Sequence, residues 1–440
     1  MDSRMRGIVG AASVGTILEW YDFFLYGTAA ALVFPQLFFP ENDPTVGTLL
    51  SFGAYATGFL ARPLGGVISG HVGDRVGRRK ALLFTLLLMG LATAGIGLLP
   101  SYASIGVAAP FLLVTLRIIQ GLATGGEWGG ASLLTLEHAR SRRGYLGAFI
   151  SAAVYVGLII GSLIYLLLNL VLTDAQLLAW GWRIPFLLSL ILVGVGLYIR
   201  SKVDETPEFQ ELEQHNAKAK APIIEALRNN PRNIIAIFLM RLGQNTSFYI
   251  IAVFCLAYAT GTLGVSKTVT LTALMIGSVG AALAAPAWGA WADRIGYTKI
   301  MAGSLVASAV LAFPMFWAFD TRSAVVIVLT LLVMIAGVNA ANDAIQPGYF
   351  TAMFGTKVRY SGTSIGREGG SVVGGGLSPL IATWLMAQTG HWYAVAAWIV
   401  VTSVIGVVGV ALVRGDTEDS RRLRSGRSER LPTATIERPA

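Results

Sequence analysis

The sequence predicts an all-α membrane protein of twelve transmembrane helices, arranged as two six-helix halves. Three observations carry that prediction. The chain is 54% hydrophobic and only 13% charged over 440 residues, and a soluble protein cannot hide that much apolar surface from water. Two hairpin phrases, Gly70-His71-Val72-Gly73-Asp74-Arg75-Val76-Gly77 and Gly289-Ala290-Trp291-Ala292-Asp293-Arg294-Ile295-Gly296, share the pattern G-x-x-x-D-R-x-G with their aspartates 219 positions apart. A repeat at half the chain length implies two similar halves in tandem. Lysine and arginine, finally, crowd the loops on one side of the predicted membrane.

Apolar stretches long enough to span a bilayer (~20 residues at ~1.5 Å rise) lie near 7–34, 46–70, 81–99, 107–136, 144–171 and 181–199. A second set lies near 233–257, 269–292, 300–319, 323–345, 361–387 and 391–413. The first half is therefore 1–199 and the second 233–413, joined by a polar linker, 200–232, that Pro207, Pro222 and Pro231 interrupt. The segment 414–440 is rich in Arg, Ser, Glu and Pro without apolar periodicity and reads as a disordered tail. Glu19 and Asp22 interrupt what would otherwise be a signal-like apolar run, so the first span is expected to be retained.

With the amino terminus in the cytoplasm, most of the 33 lysines and arginines fall in cytoplasmic loops. The opposite loops hold only Lys267 and Arg322, with Arg183 at a span edge. This asymmetry places both termini in the cytoplasm and accounts for the net charge of +9 without nucleic acid. The expected location is a cell membrane, the inner one of a bacterium. The single cysteine, Cys255, excludes an internal disulfide, and no histidine pair has ligand spacing, so no metal site is expected. Gly125-Gly126 and Gly374-Gly375-Gly376 follow no strand and precede no P-loop lysine; close helix packing explains them better than a nucleotide site.

The duplicated hairpin suits a cytoplasmic helix junction. Glycines permit a tight reversal, arginines stay among headgroups, and the acid sits where a neighbouring helix amino terminus attracts it. A loop that only set topology would need no aspartate, so the pattern reads as a breakable latch between the halves. The hairpins, together with Glu19-Trp20-Tyr21-Asp22-Phe23-Phe24-Leu25-Tyr26-Gly27, Ala61-Arg62-Pro63-Leu64-Gly65-Gly66, Leu116-Arg117-Ile118-Ile119-Gln120-Gly121, Gly125-Gly126-Glu127-Trp128-Gly129-Gly130 and Trp182-Arg183-Ile184-Pro185-Phe186, resemble the metabolite:proton symporter family of the major facilitator superfamily. The wording is most similar to shikimate-transporter-like members. The resemblance spans about residues 7–413 and implies the major facilitator fold: a carrier, not an enzyme, that alternates between inward- and outward-open states. It carries over a cytoplasmic gate at Gly70, Asp74, Arg75, Gly77, Arg78, Glu137, Asp293 and Arg294. Asp74 should face the start of the eleventh span near Tyr360–Ser364, Arg78 should pair with Glu137, and by repeat symmetry Asp293 should face Gly144. Tyr297 and Thr298 replace the usual basic residues, which predicts a weaker second latch.

Charges inside spans cost a few kcal/mol or more and demand a partner or a wet cavity. Arg62, Arg117, Arg241 and Arg367 are the basic residues within spans. Glu19 and Asp22 stand three apart on a face shared with Tyr26; counting from Gly7 puts Glu19 ~18 Å into the membrane. Arg117, Gln120, Thr124 and Trp128 form one stripe, with Arg117 ~14 Å from its span's outer end. Similar depth suggests a pair between Arg117 and those acids. Arg117 would receive a substrate carboxylate through its planar fork while Glu19 or Asp22 takes the proton, because burial favours a neutral carboxyl group. Glu127, ~15 Å deeper, is either a second proton site or a brace for a glycine-rich helix contact. Arg241, Gln244, Asn245 and Tyr249 form a polar face on the seventh span, and Asn339, Asn342, Asp343 and Gln346 another on the tenth; both are expected to line the cavity. Arg367 and Glu368 are adjacent, point to different faces, and are not expected to pair with each other; they either bind substrate, with Arg367 a further candidate, or serve the gate.

The expected activity is proton-coupled symport of a small organic acid. The partners are that solute, the proton as coupling ion and the bilayer; no cofactor is expected, and a monomer suffices. A symporter of zwitterions such as proline or betaine, and a non-transporting sensor on the same scaffold, are the alternatives.

Overall fold

The computed structural model describes residues 3–76, 78–125, 127–137, 139, 141–201, 222–355 and 358–413, with side chains undescribed at 3–4, 69–76, 78–82, 134, 137, 199–201 and 222. The described chain is helical, without strands. Twelve spans follow one another. The first half contains Ser3–Leu32, Pro44–Val76, Arg78–Leu98, Ala108–Thr124 continued by Glu127–Glu137, Arg143–Val171 and Arg183–Ser201. The second contains Pro231–Thr262, Lys267–Ile295, Tyr297–Asp320, Ala324–Thr351, Arg359–Thr389 and Tyr393–Leu412. A short helix, Pro222–Asn229, precedes the seventh span; the rest of the linker from 202 to 221 and the expected disordered tail lie outside the described residues. Helices are the solution because lipid offers no hydrogen bonds to the backbone.

Large apolar side chains face outward along the spans, among them Leu64, Phe84, Leu170, Leu283, Val310 and Trp317. The mid-span arginines do the opposite: Arg62, Arg117, Arg241 and Arg367 are buried. This inside-out distribution is what a hydrocarbon solvent selects. Leu177–Gly181, Ile250–Phe254, Tyr258–Thr262, Val333–Asn339 and Val372–Leu377 are π-helical turns, four of them in the second half. The last carries Gly374-Gly375-Gly376. A Cβ on Gly376 would lie 2.7 Å from Cβ of Phe59, and one on Gly374 would lie 2.9 Å from Cβ of Asn245. Those glycines serve close helix packing, as their sequence context suggested.

Contacts join the halves at both ends of the bundle. At the hairpin end, the Asp293 carboxylate accepts hydrogen bonds from the backbone N–H groups of Gly144 (2.8 Å) and Tyr145 (3.0 Å), capping the start of the fifth span. Tyr297, found where a basic residue is usual, donates its hydroxyl to the same carboxylate at 2.6 Å. At the far end Lys267 pairs with Asp174 (2.6 Å), and Asn169 donates to Thr268 (2.9 Å). The first hairpin cannot be matched in the same way: Gly77, and the side chains of Gly70, Asp74, Arg75, Arg78 and Glu137, lie outside the described residues.

The Asp293 contact needs glycine on both sides. A Cβ on Gly144 would lie 2.6 Å from the Gly289 carbonyl oxygen, and one on Gly289 would lie 2.8 Å from Cβ of Ala148. Gly289→Val is expected to lower thermal stability in detergent by about 1–3 kcal/mol of overpacking strain. Gly303→Ala, where nothing lies within 4 Å, should leave the unfolding midpoint unchanged. Equal midpoints for both variants would contradict the packing argument.

Candidate transport site

Among the described residues, nine buried arginine and carboxylic side chains belong to the spans: Arg62, Arg117, Arg241 and Arg367 against Glu19, Asp22, Glu127, Asp343 and Glu368. Their pairing differs from the sequence expectation. Arg117 does not pair with Glu19 or Asp22. Its guanidinium donates to the Gln120 side-chain oxygen and sits among the rings of Phe23, Tyr26 and Tyr55, with centroids at 4.1, 4.4 and 4.9 Å. Aromatic faces thus supply much of the negative potential that a carboxylate was expected to supply. Asp22 accepts from the Thr93 hydroxyl (2.7 Å), and Gln120 donates to that same hydroxyl (2.7 Å). Two neutral side chains therefore stand between Arg117 and Asp22.

Glu19 pairs instead with Arg62 of the second span. Arg62 also binds Glu368 of the eleventh span through Nε at 2.8 Å, so one guanidinium ties an acid of each half. Glu368 in turn accepts from Arg367 at 2.6 Å. This corrects the expectation that Arg367 and Glu368 would not pair: the side chains are long enough to meet although their Cα–Cβ bonds diverge. Arg367 also lies over the Trp128 ring, 3.8 Å from its centroid.

In the second half Arg241 is a hub. It donates to Gln244 (2.7 Å), Gln346 (2.8 Å) and Asp343 (3.2 Å) through Nη1, and to Ser371 (3.0 Å) through Nε. Asp343 is held from the other half as well, by the Tyr155 hydroxyl at 2.8 Å; Ser151 donates to its backbone carbonyl at 2.6 Å.

A cavity lies at this seam, lined by Trp20, Trp128, Ser151 and Val154 of the first half and by Arg241, Gln244, Asn245, Phe248, Asp343, Gln346 and Arg367 of the second. Its volume of about 10 Å³ is roughly that of one water. Of the expected substrate residues, Gln244, Asn245 and Arg367 line it. Arg117, Gln120, Thr124, Tyr26, Tyr249 and Asn339 do not, and neither do Glu19, Asp22 or Glu127. Tyr26 and Tyr249 are absorbed into the aromatic packing with Tyr55, and Asn339 bonds back to the Met334 carbonyl at 2.9 Å. Asn342, from the same expected polar face, does not line the cavity either; it donates to Ser304 (2.9 Å) and accepts from Gln346 (3.1 Å). The sequence did not single out Ser151, Val154 or Phe248, which carry no charge signal, and it gave Arg62 no partner.

Several buried polar atoms of the cavity-lining residues have no hydrogen-bond partner among the described residues: Nε of Arg367, Nε2 of Gln244, both side-chain polar atoms of Asn245 and Nε1 of Trp20. Buried orphans are rare unless something else binds them. Arginine, amide and indole donors together suit a small, oxygen-rich, anionic molecule.

The model named Sugar (and other) transporter matches residues 8–234, and the model named Major Facilitator Superfamily matches 234–439. The chain is 40% identical over 428 residues to the shikimate transporter of Escherichia coli, covering 96% of each. It is 32% identical over 423 residues to the proline/betaine transporter of the same organism, covering 92% of this chain and 83% of the relative. Among solved structures, the D-xylose-proton symporter superposes with a TM-score of 0.71 at 18% identity, covering 94% of this chain and 98% of that one. The fold, the charge-bearing seam and these similarities agree: the chain belongs to the major facilitator superfamily and is a multi-pass membrane transporter.

Proposed function

We propose that this carrier moves a small hydroxylated carboxylate, of shikimate's chemical class, together with a proton. The observation that carries the reading is the set of unpartnered donors on Arg367, Gln244, Asn245 and Trp20 around a seam cavity. A carboxylate would bridge Arg367 and Arg241, and ring hydroxyls would meet the amides. Trp20, Trp128 and Phe248 would cover the apolar faces. The similarity to a shikimate transporter supports the class.

Charge balance supports the proton. Among the described residues four buried arginines face five buried acids, so the interior of the spans carries more carboxyl than guanidinium groups. An incoming anion adds a further negative charge in a medium where each uncompensated charge costs several kcal/mol. A proton on one of those acids, for which Glu19, Asp22 and Glu127 remain the proposed carriers, removes it. The asymmetry of the basic loops supports a bacterial inner-membrane carrier with the hairpin end and both termini on the cytoplasmic side. Asp293, with Arg294 and the first hairpin's Gly70, Asp74, Arg75, Gly77, Arg78 and Glu137, would form the gate there. Contacts at both ends of the bundle fit an occluded intermediate.

Reconstituted vesicles should lose external protons when shikimate is added outside, without any imposed gradient. Solute-independent pH would refute coupled transport of this class. Arg241→Gln and Arg367→Gln should each raise the KM for uptake at least tenfold, about 1.4 kcal/mol of lost binding. Arg117→Gln should lower kcat more than it changes KM, because Arg117 does not line the cavity. In a thermal-shift comparison shikimate should stabilise the carrier and glycine betaine should not. The reverse result would favour a zwitterion substrate.

A further inference from the structure

Proton-binding and substrate-binding groups stand on different parts of the structure. Glu19 lies off the cavity, and Arg367 lies on it. They are nevertheless linked by a continuous row of ion pairs: Glu19 to Arg62, Arg62 to Glu368, and Glu368 to Arg367. Only the middle contact crosses from one half to the other. Arg62 is fully enclosed, with Phe23 4.8 Å and Trp20 5.6 Å from its guanidinium carbon. Its Nη1 and the second Glu19 oxygen, Oε2, have no hydrogen-bond partner among the described residues. The row is therefore strained for partners at its proton end.

We propose that Arg62 is the coupling residue, shared between Glu19 of its own half and Glu368 of the other, and that occlusion is favoured when Glu368 holds it alone. Resting on the carboxylate–proton reading, this explains why both ligands would be required. A proton on Glu19 removes one competitor for Arg62. An anion docking on Arg367 draws that arginine from Glu368, leaving Glu368 to Arg62. Either event strengthens the same cross-half bridge. Two ligands that favour one state promote each other's binding by linkage. The other charged groups near Glu19 are Glu127 of the fourth span and Arg367 of the eleventh. Those near Glu368, besides Arg62 and Arg367, include Arg241 of the seventh span.

The test needs no substrate. Nitroxide labels on cysteines at Ser104 and Thr321, exposed positions on opposite halves at the far end, report their separation in nanodiscs; Cys255 is buried. Between pH 9 and pH 5 the wild-type distance distribution should shift toward one population. Glu19→Gln should hold that acid population at every pH. Glu368→Gln should abolish the pH shift although Glu19 is intact, and Arg62→Lys should do the same, since one ammonium cannot fork between two acids. If Glu368→Gln does not yield folded protein, Arg62→Lys decides. A wild type without a pH shift, or a full shift in Glu368→Gln or Arg62→Lys, would overturn the coupling role. Shikimate added at pH 5 forms a separate arm: no effect of it on wild type would count against the substrate class and leave the ion-pair result standing.

Discussion

Hydrocarbon cannot solvate an ionised side chain, and the partners found by nine such groups determine how the helices of this carrier meet. Arg62 is the clearest instance. It satisfies an acid on its own first span and another on the eleventh, and the two halves must approach to bring both within reach. Asp343 shows the same constraint from the other side, bound by Arg241 within its half and by Tyr155 across the seam. Packing by glycine then permits the approach that charge demands. Gly144 and Gly289 let Asp293 reach the fifth span, and Gly376 lets Phe59 reach the eleventh.

The two halves are similar in plan and opposite in charge. The first places acids on its opening span, Glu19 and Asp22, and an arginine on its fourth, Arg117. The second places an arginine on its opening span, Arg241, and an acid on its fourth, Asp343. Asp22 and Arg241 even stand 219 positions apart, the spacing of the repeated hairpins. In the first half the arginine is enclosed by rings and the acid by hydroxyl and amide, so neither reaches the cavity. In the second they meet directly and lie on its wall. The seam is thus polarised, with its hydrogen-bonding capacity on the carboxyl-terminal side and indoles facing it.

Helix periodicity placed Gln244 and Asn245 on one face and Asp343 and Gln346 on another, and those faces do border the cavity. Periodicity fails one turn away. Tyr249 and Asn342 share the same stripes yet find partners in neighbouring helices, and Asn339 bonds back to its own helix. Depth along a span was an equally incomplete guide. Counting along the spans puts Arg117 and Glu19 at similar depth, but lateral position decides pairing, and it is Arg62 of the second span that reaches Glu19.

The sequence alone determined that the protein is helical, divided in two and embedded in lipid, because composition, repeat spacing and loop charge are properties of the chain that survive any packing. It also determined which buried charges existed and therefore that each required a partner. Only the tertiary structure decided who those partners are. A guanidinium at the end of a flexible stem reaches several angstroms in any direction, and the choice among an acid, an amide and an aromatic face depends on which helices stand beside it.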